Sequence, residues 1–206
     1  MDFLHKEKLN TKDMIIGISG RLNAGKDTLA DILLDLKPEF FEKKAYAYKL
    51  KQIANLLTGI SIEKFNDGEF KKQNMPEEWN WFDDPEDAMS VREFLQELGT
   101  EAIRDGLHEN AWVIALMADY KADEENNLPN WIITDVRFHN EAEAIRKKGG
   151  MLIRLNRKGQ SSSEHSSELH MNDWGDWDFV IDNDGSISDL ALHATKIIEE
   201  IEINLK

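Results

Sequence analysis

The chain has 206 residues, 41% of them apolar and 32% charged, with a formal net charge of −15. That length and mixture suit one folded domain, with or without mobile lobes, and exclude a disordered or fibrous chain. Such negative charge, with no Lys/Arg block to offset it, argues against nucleic-acid or membrane partners, and the lack of cysteine removes disulfide and thiolate chemistry.

Residues 1–13, MDFLHKEKLNTKD, are charged and lack the apolar stretch of a secretory signal, so a cytoplasmic location is expected. Met14 to Ser19 then reads as a first strand. It runs into GRLNAGKDT, which meets the phosphate-loop pattern at Gly20, Gly25 and Lys26. Asp27 stands where that pattern has a hydroxyl, and Thr28 follows. In such a loop Gly20 and Gly25 let the backbone approach a phosphate, Lys26 reaches the terminal phosphates, and the helix start presents free N–H groups. Asp27 suits magnesium or one of its waters; it also suits a carboxylate that merely complements the helix dipole. Leu29, Ile32, Leu33 and Leu36 follow at helical spacing.

Lys44 to Lys49 reads as a second strand and Trp131 to Asp135 as a third, with roughly eighty residues between them, far more than one crossover helix needs. This insertion carries an acidic, aromatic stretch with Trp79 and Trp81. A helix follows, opened by the Ser90/Glu93 capping box. On it Val91, Leu95 and Leu98 form the buried stripe while Arg92 and Gln96 share a flank. Trp79, Trp81 and Trp112 suit either lobe core or base stacking.

The third strand ends in Asp135, with Arg137 two residues on; a carboxylate there can orient a metal and the arginine can bind a migrating phosphoryl group, although apolar-run-then-Asp is also an ordinary strand end. Glu141 to Lys148 is helical and stops at Gly149-Gly150. Met151 to Leu155 and Asp178 to Asp182 are the last two strands. The polar, serine-rich stretch between them reads as mobile, and Asn183-Asp184-Gly185 as a turn. Leu190, Ala194, Ile197, Ile198, Ile201 and Leu205 make a final amphipathic stripe. Alternating strands and helices imply a parallel sheet covered on both faces, an α/β fold.

GRLNAGKDTLAD, VREFLQELGTEAIR, ITDVRFHNEAEAIRKKGGMLIRLNR, HSSE (His165 to Glu168) and VIDNDGS, in that order, resemble the deoxynucleoside monophosphate kinases of phages. The resemblance covers most of the chain from Met14 onward. It implies a P-loop nucleotide-kinase-like three-layer fold in a single domain: a five-stranded parallel sheet, a helical acceptor-binding region over 50–112 and a small lid over 156–177. It implies ATP and Mg2+ as donor pair and a deoxynucleoside monophosphate as acceptor, with a homodimer compatible with the sequence. Gly20, Asn23, Ala24, Gly25, Lys26, Asp27 and Thr28 would then bind the donor, and Asp27 and Asp135 the metal. Lys26, Asp135, Arg137 and Arg157 would serve the transferring group, and Lys51, Arg92, Gln96 and Arg104 the acceptor. Kinases of other phosphorylated metabolites, such as dephospho-coenzyme A or phosphomevalonate, and an ATP-binding regulator without turnover are the alternatives.

Overall fold

The structure, a computed structural model, describes residues 14–79, 88–125, 130–159 and 170–204. The chain divides into two compact units, residues 1–44 with 121–206, and residues 45–120.

The first unit is built on a five-stranded parallel sheet ordered β2-β3-β1-β4-β5. The strands are β1 (Ile15–Gly20), β2 (Phe41–Lys44), β3 (Asn130–Ile133), β4 (Met151–Asn156) and β5 (Phe179–Asp182). β1 is central, in register Ile16↔Ile132 with β3 and Ile18↔Ile153 with β4. Side chains alternate between faces along a strand. Ile16, Ile18, Ile132, Ile153, Leu155 and Ile181 therefore share one face, where they pack with Leu29, Ala30 and Leu33 of α1 (Lys26–Leu36) and Leu190, Ala194, Ile197, Ile198 and Ile201 of α7 (Ile187–Asn204). On the opposite face Gly17 lies against Ile145 of α6 (His139–Lys147) and against Leu152 and Val136.

Lys44 to Lys49 is not a strand. Lys44 is the last residue of the edge strand β2, and from Tyr46 the segment opens α2 (Tyr46–Thr58). Alternating tyrosines suggest period 2, but the pattern continues as Tyr46, Leu50 and Ala54, four apart, and Tyr46 and Ala54 are buried. β2 escaped notice because a short edge strand reading Phe-Glu-Lys-Lys carries the charges that blunt a sheet edge. Leu36, expected on the buried stripe of α1, is exposed because the helix ends there, and Ala30 takes an inward place.

The second unit contains α2, α3 (Ile62–Asn66), α4 (Val91–Gln96), a π-helical continuation over Glu97–Asp105, and the start of α5 (Ala111–Glu125). Its core joins Ala54, Phe65, Met75, Val91, Phe94 and Leu95, with Leu50, Trp79 and Leu98 packed against them. The capping box is formed: the Glu93 backbone N–H donates to Ser90 Oγ at 3.2 Å, and the Ser90 N–H to Glu93 Oε2 at 2.7 Å. Trp79 meets Phe94 edge to face, and buried Trp112 donates its Nε1–H to the Gly99 carbonyl at 2.8 Å, so both belong to the core. Trp81 lies outside the described residues.

Candidate active site

The loop between β1 and α1 owes its shape to two residues with left-handed backbone, Asn23 (φ 62°) and Gly25 (φ 97°). Asparagine tolerates that region, and glycine enters it without a Cβ clash. Gly25 is required twice over, since a Cβ there would also lie 2.4 Å from Asn183 Nδ2. Gly20 meets a backbone limit, as its Cβ would fall 2.7 Å from the Leu155 carbonyl oxygen. The Asn183 amide donates to the Ala24 carbonyl at 2.9 Å, and the Asn183 N–H to the Asn156 carbonyl at 2.8 Å. The Asn183-Asp184-Gly185 turn thereby ties the loop to the end of β4. Asp184 also accepts the Lys158 N–H at 2.7 Å, and that N–H and the Lys158 ammonium hold its carboxyl below the usual range.

Lys26 is the first residue of α1, and its ammonium donates to the carbonyls of Gly20 and Arg21 at 2.6 and 2.8 Å. The positive charge is thus held over the loop, at a helix start whose N–H groups favour anions. Asp27 and Thr28 are exposed one and two residues further along. Lys43, at the end of β2, pairs with Asp27 at 3.2 Å and Asp31 at 2.8 Å. Partial burial pulls the Lys43 ammonium down, but the bonds and charges of both aspartates outweigh it and raise the group.

The turn after β3 brings a second group of side chains to the same end of the sheet. The Val136 N–H donates to the Ile18 carbonyl at 3.2 Å, which docks the Asp135–Arg137 turn beside the last residues of β1. Glu141, on the first turn of α6, is buried, and its Oε2 accepts the N–H groups of Arg137 at 2.7 Å and Phe138 at 3.1 Å. Burial first, then the Asp135 charge, push its carboxyl up to about 8 against those two donors. The sequence pattern missed this role because no Ser, Thr, Asp or Asn stands at the helix N-cap, which is Phe138.

Arg157 is exposed just past β4 and lines a cavity with Arg21 and Arg154. Of the stretch expected to be mobile, 160–169, with His165 and Glu168, lies outside the described residues. Residues 170–177 are instead anchored. His139 meets Asp173 at 2.9 Å, Phe138 packs on His170, and Arg146 donates to the Asp176 carbonyl at 2.7 Å. These contacts are irregularly spaced, so no periodicity announces them.

Lys51, Arg92, Gln96 and Arg104 all lie in the second unit. Lys51 donates to Asn66 Oδ1 at 2.7 Å, Arg92 and Gln96 are half-buried on α4, and Arg104 donates to the Glu109 carbonyl at 2.9 Å. Among the described residues, no three His, Asp or Glu side chains cluster as a metal cage. Magnesium needs less, since it binds through one or two carboxylates plus substrate phosphates and water. The hard oxygens of Asp27 and Asp135 fit that demand.

A central strand, a lysine-bearing loop held in left-handed backbone and a helix that starts at the lysine, set in a 2-3-1-4-5 parallel sheet, define a kinase fold of the P-loop class. Residues 46–194 match the family described as deoxynucleotide monophosphate kinase, and the chain belongs to that family. A protein of Acanthamoeba polyphaga mimivirus, provisionally named deoxynucleotide monophosphate kinase, is 31% identical over 85% of this chain and 91% of its own length. The deoxynucleotide monophosphate kinase of Enterobacteria phage T4 is 34% identical over 51% of this chain and 44% of its own. Among solved structures, a dephospho-CoA kinase from Campylobacter jejuni superposes with a TM-score of 0.49 at 14% identity, covering 93% of this chain and 98% of that one.

Proposed function

We propose that this chain transfers the γ-phosphoryl group of ATP to a deoxynucleoside 5′-monophosphate, giving ADP and the diphosphate. The observation that carries this reading is Lys26, whose ammonium lies over the carbonyls of a glycine-shaped loop at the start of α1, in a chain of the deoxynucleotide monophosphate kinase family.

An acceptor phosphate oxygen attacks the γ-phosphorus as its bond to the bridging oxygen of ADP breaks, so the protein has charge to neutralise and geometry to hold rather than covalent chemistry to perform. Gly20 and Asn23 through Thr28 cradle the donor phosphates, and Lys26 follows the charge onto the bridging oxygen. Arg137 holds the migrating group and Arg157 closes on the phosphates. Asp27 and Asp135 would hold Mg2+, which when bound neutralises charge between the β- and γ-phosphates. Lys51, Arg92, Gln96 and Arg104, in the 45–120 unit, are assigned to the acceptor: the guanidinium forks to its phosphate, and the Gln96 amide to a base edge or sugar hydroxyl. The cytoplasm of a bacterial cell or phage host is the expected setting, and a homodimer the assembly to look for.

ADP release measured over the common nucleoside and deoxynucleoside monophosphates tests the reading. At least one deoxynucleotide should exceed its ribose counterpart. Turnover with dephospho-coenzyme A or phosphomevalonate but with no nucleotide would reassign the substrate, and ATP binding without turnover would leave a regulator. Asp27→Asn should raise the magnesium concentration needed for half-maximal rate; a titration that overlays wild type would leave Asp27 as a partner of Lys43 alone.

A further inference from the structure

Helix α1 starts at Lys26 with Asp27 in its first turn, and its N-cap, Gly25, brings no side-chain acceptor to the N–H groups there. A carboxylate in that turn is drawn to the partial positive charge of the helix start. The same charge favours an incoming phosphate. Asp27 is therefore a built-in competitor for the anion that the loop would hold, and Asp31, four residues on, adds a second negative charge to the same flank of the helix.

Lys43 meets both carboxylates. Phe41 packs into the core that α1 shares, so by strand alternation Lys43, two residues on, leaves β2 on that same face of the sheet. Its ammonium lies 2.8 Å from Asp31 Oδ1 and 3.2 Å from Asp27 Oδ1. An ion pair this exposed adds little to stability. What it supplies here is direction, because the Asp27 carboxylate is held toward β2, the edge strand that lies two places from β1 and its loop. Asp31, at the shorter distance, anchors the ammonium.

We propose that Lys43 is a positioning residue of the phosphate loop: it keeps the Asp27 carboxylate turned toward β2 and off the helix start, so that a loop with an aspartate next to its lysine still receives an anion. Lys43 acts through Asp27 rather than on the anion itself. The inference rests on the kinase reading for the identity of that anion as a nucleoside triphosphate, while the Lys43, Asp27 and Asp31 arrangement stands apart from it.

The test is a double-mutant cycle on the full chain, read by calorimetric titration with inorganic tripolyphosphate in EDTA, which keeps metal off Asp27. Wild type, Lys43→Gln, Asp27→Asn and the double variant are compared, beside the ADP-release assay. Lys43→Gln should weaken tripolyphosphate by about three- to tenfold, the scale of one carboxylate brought nearer an anion across partly solvated space. In the Asp27→Asn background the loss should fall to about twofold or less, what remains being the screened charge of Lys43 itself. Lys43→Arg should bind like wild type, since it keeps the charge and the reach to both carboxylates. Lys43→Met repeats the cycle should Lys43→Gln unfold. Equal losses in the two backgrounds would mean a plain charge effect with no hold on Asp27, and would overturn the proposal even with deoxynucleotide turnover intact; wild-type affinity in Lys43→Gln would do the same. A coupled cycle in a chain that phosphorylates no nucleotide would keep the role of Lys43 and overturn the kinase reading alone.

Discussion

The loop between β1 and α1 and the turn between β3 and α6 stand at the same end of neighbouring strands, and they are held in opposite ways. The loop is fixed by backbone shape: left-handed Asn23 and Gly25, with the neutral Asn183 amide on the Ala24 carbonyl. The Asp135–Arg137 turn is fixed by a buried ionisable group, Glu141, whose carboxyl accepts two backbone N–H groups. A neutral tie holds at any pH at which the protein folds, whereas a buried carboxyl makes its turn dependent on protonation. The difference teaches that two walls of one strand-end site can be equally well placed and unequally robust.

The largest effect is expected at the residue the loop presents. Lys26→Met should lower kcat by about 10²–10³-fold or more, the cost of one electrostatic stabiliser, while melting close to wild type. Unchanged turnover would remove the loop from the mechanism.

Glu141 separates the two walls next. Glu141→Ala strands the Arg137 and Phe138 N–H groups in a buried place, and about 2–3 kcal/mol of stability should be lost in denaturant titration; a loss below about 0.5 kcal/mol would show that the turn does not depend on this tie. Its ionisation adds a second signature. A carboxyl at about 8 when folded, against the ordinary 4.5, keeps its proton in the native state where the unfolded chain has released it. The native state then binds more protons across that window, so the contribution of Glu141 to stability falls as pH rises from about 4.5 to about 8 and is level outside it. Glu141→Gln should flatten that fall. If wild type and Glu141→Gln show parallel stability against pH, the group is ionised throughout.

The smallest effect is on the neutral tie. Asn183→Ala removes one hydrogen bond to the Ala24 carbonyl, so about 1 kcal/mol of stability should be lost, equally at pH 5 and pH 8. A loss that varied with pH would break the contrast between the two walls.

The sequence by itself determined whatever rests on adjacent residues. The glycines and lysine of the loop are contiguous, because a phosphate cradle is made of consecutive backbone groups. The apolar runs of β1, β3 and β4 announce strands buried on both faces, and the α7 stripe is legible at helical period. What only the tertiary structure decided are pairings between distant residues, which no local period encodes. Lys44 to Lys49 has the alternation of a strand, and packing through Tyr46 and Ala54 turned most of it helical. Asn183 meets Ala24, Lys43 meets Asp27, and Arg21 and Arg154 line one cavity only because β5, β2 and β4 reach the same end of the sheet. Glu141 reads as an ordinary charged helix residue, and the burial that makes it a turn-holding acid comes from the elements packed around it.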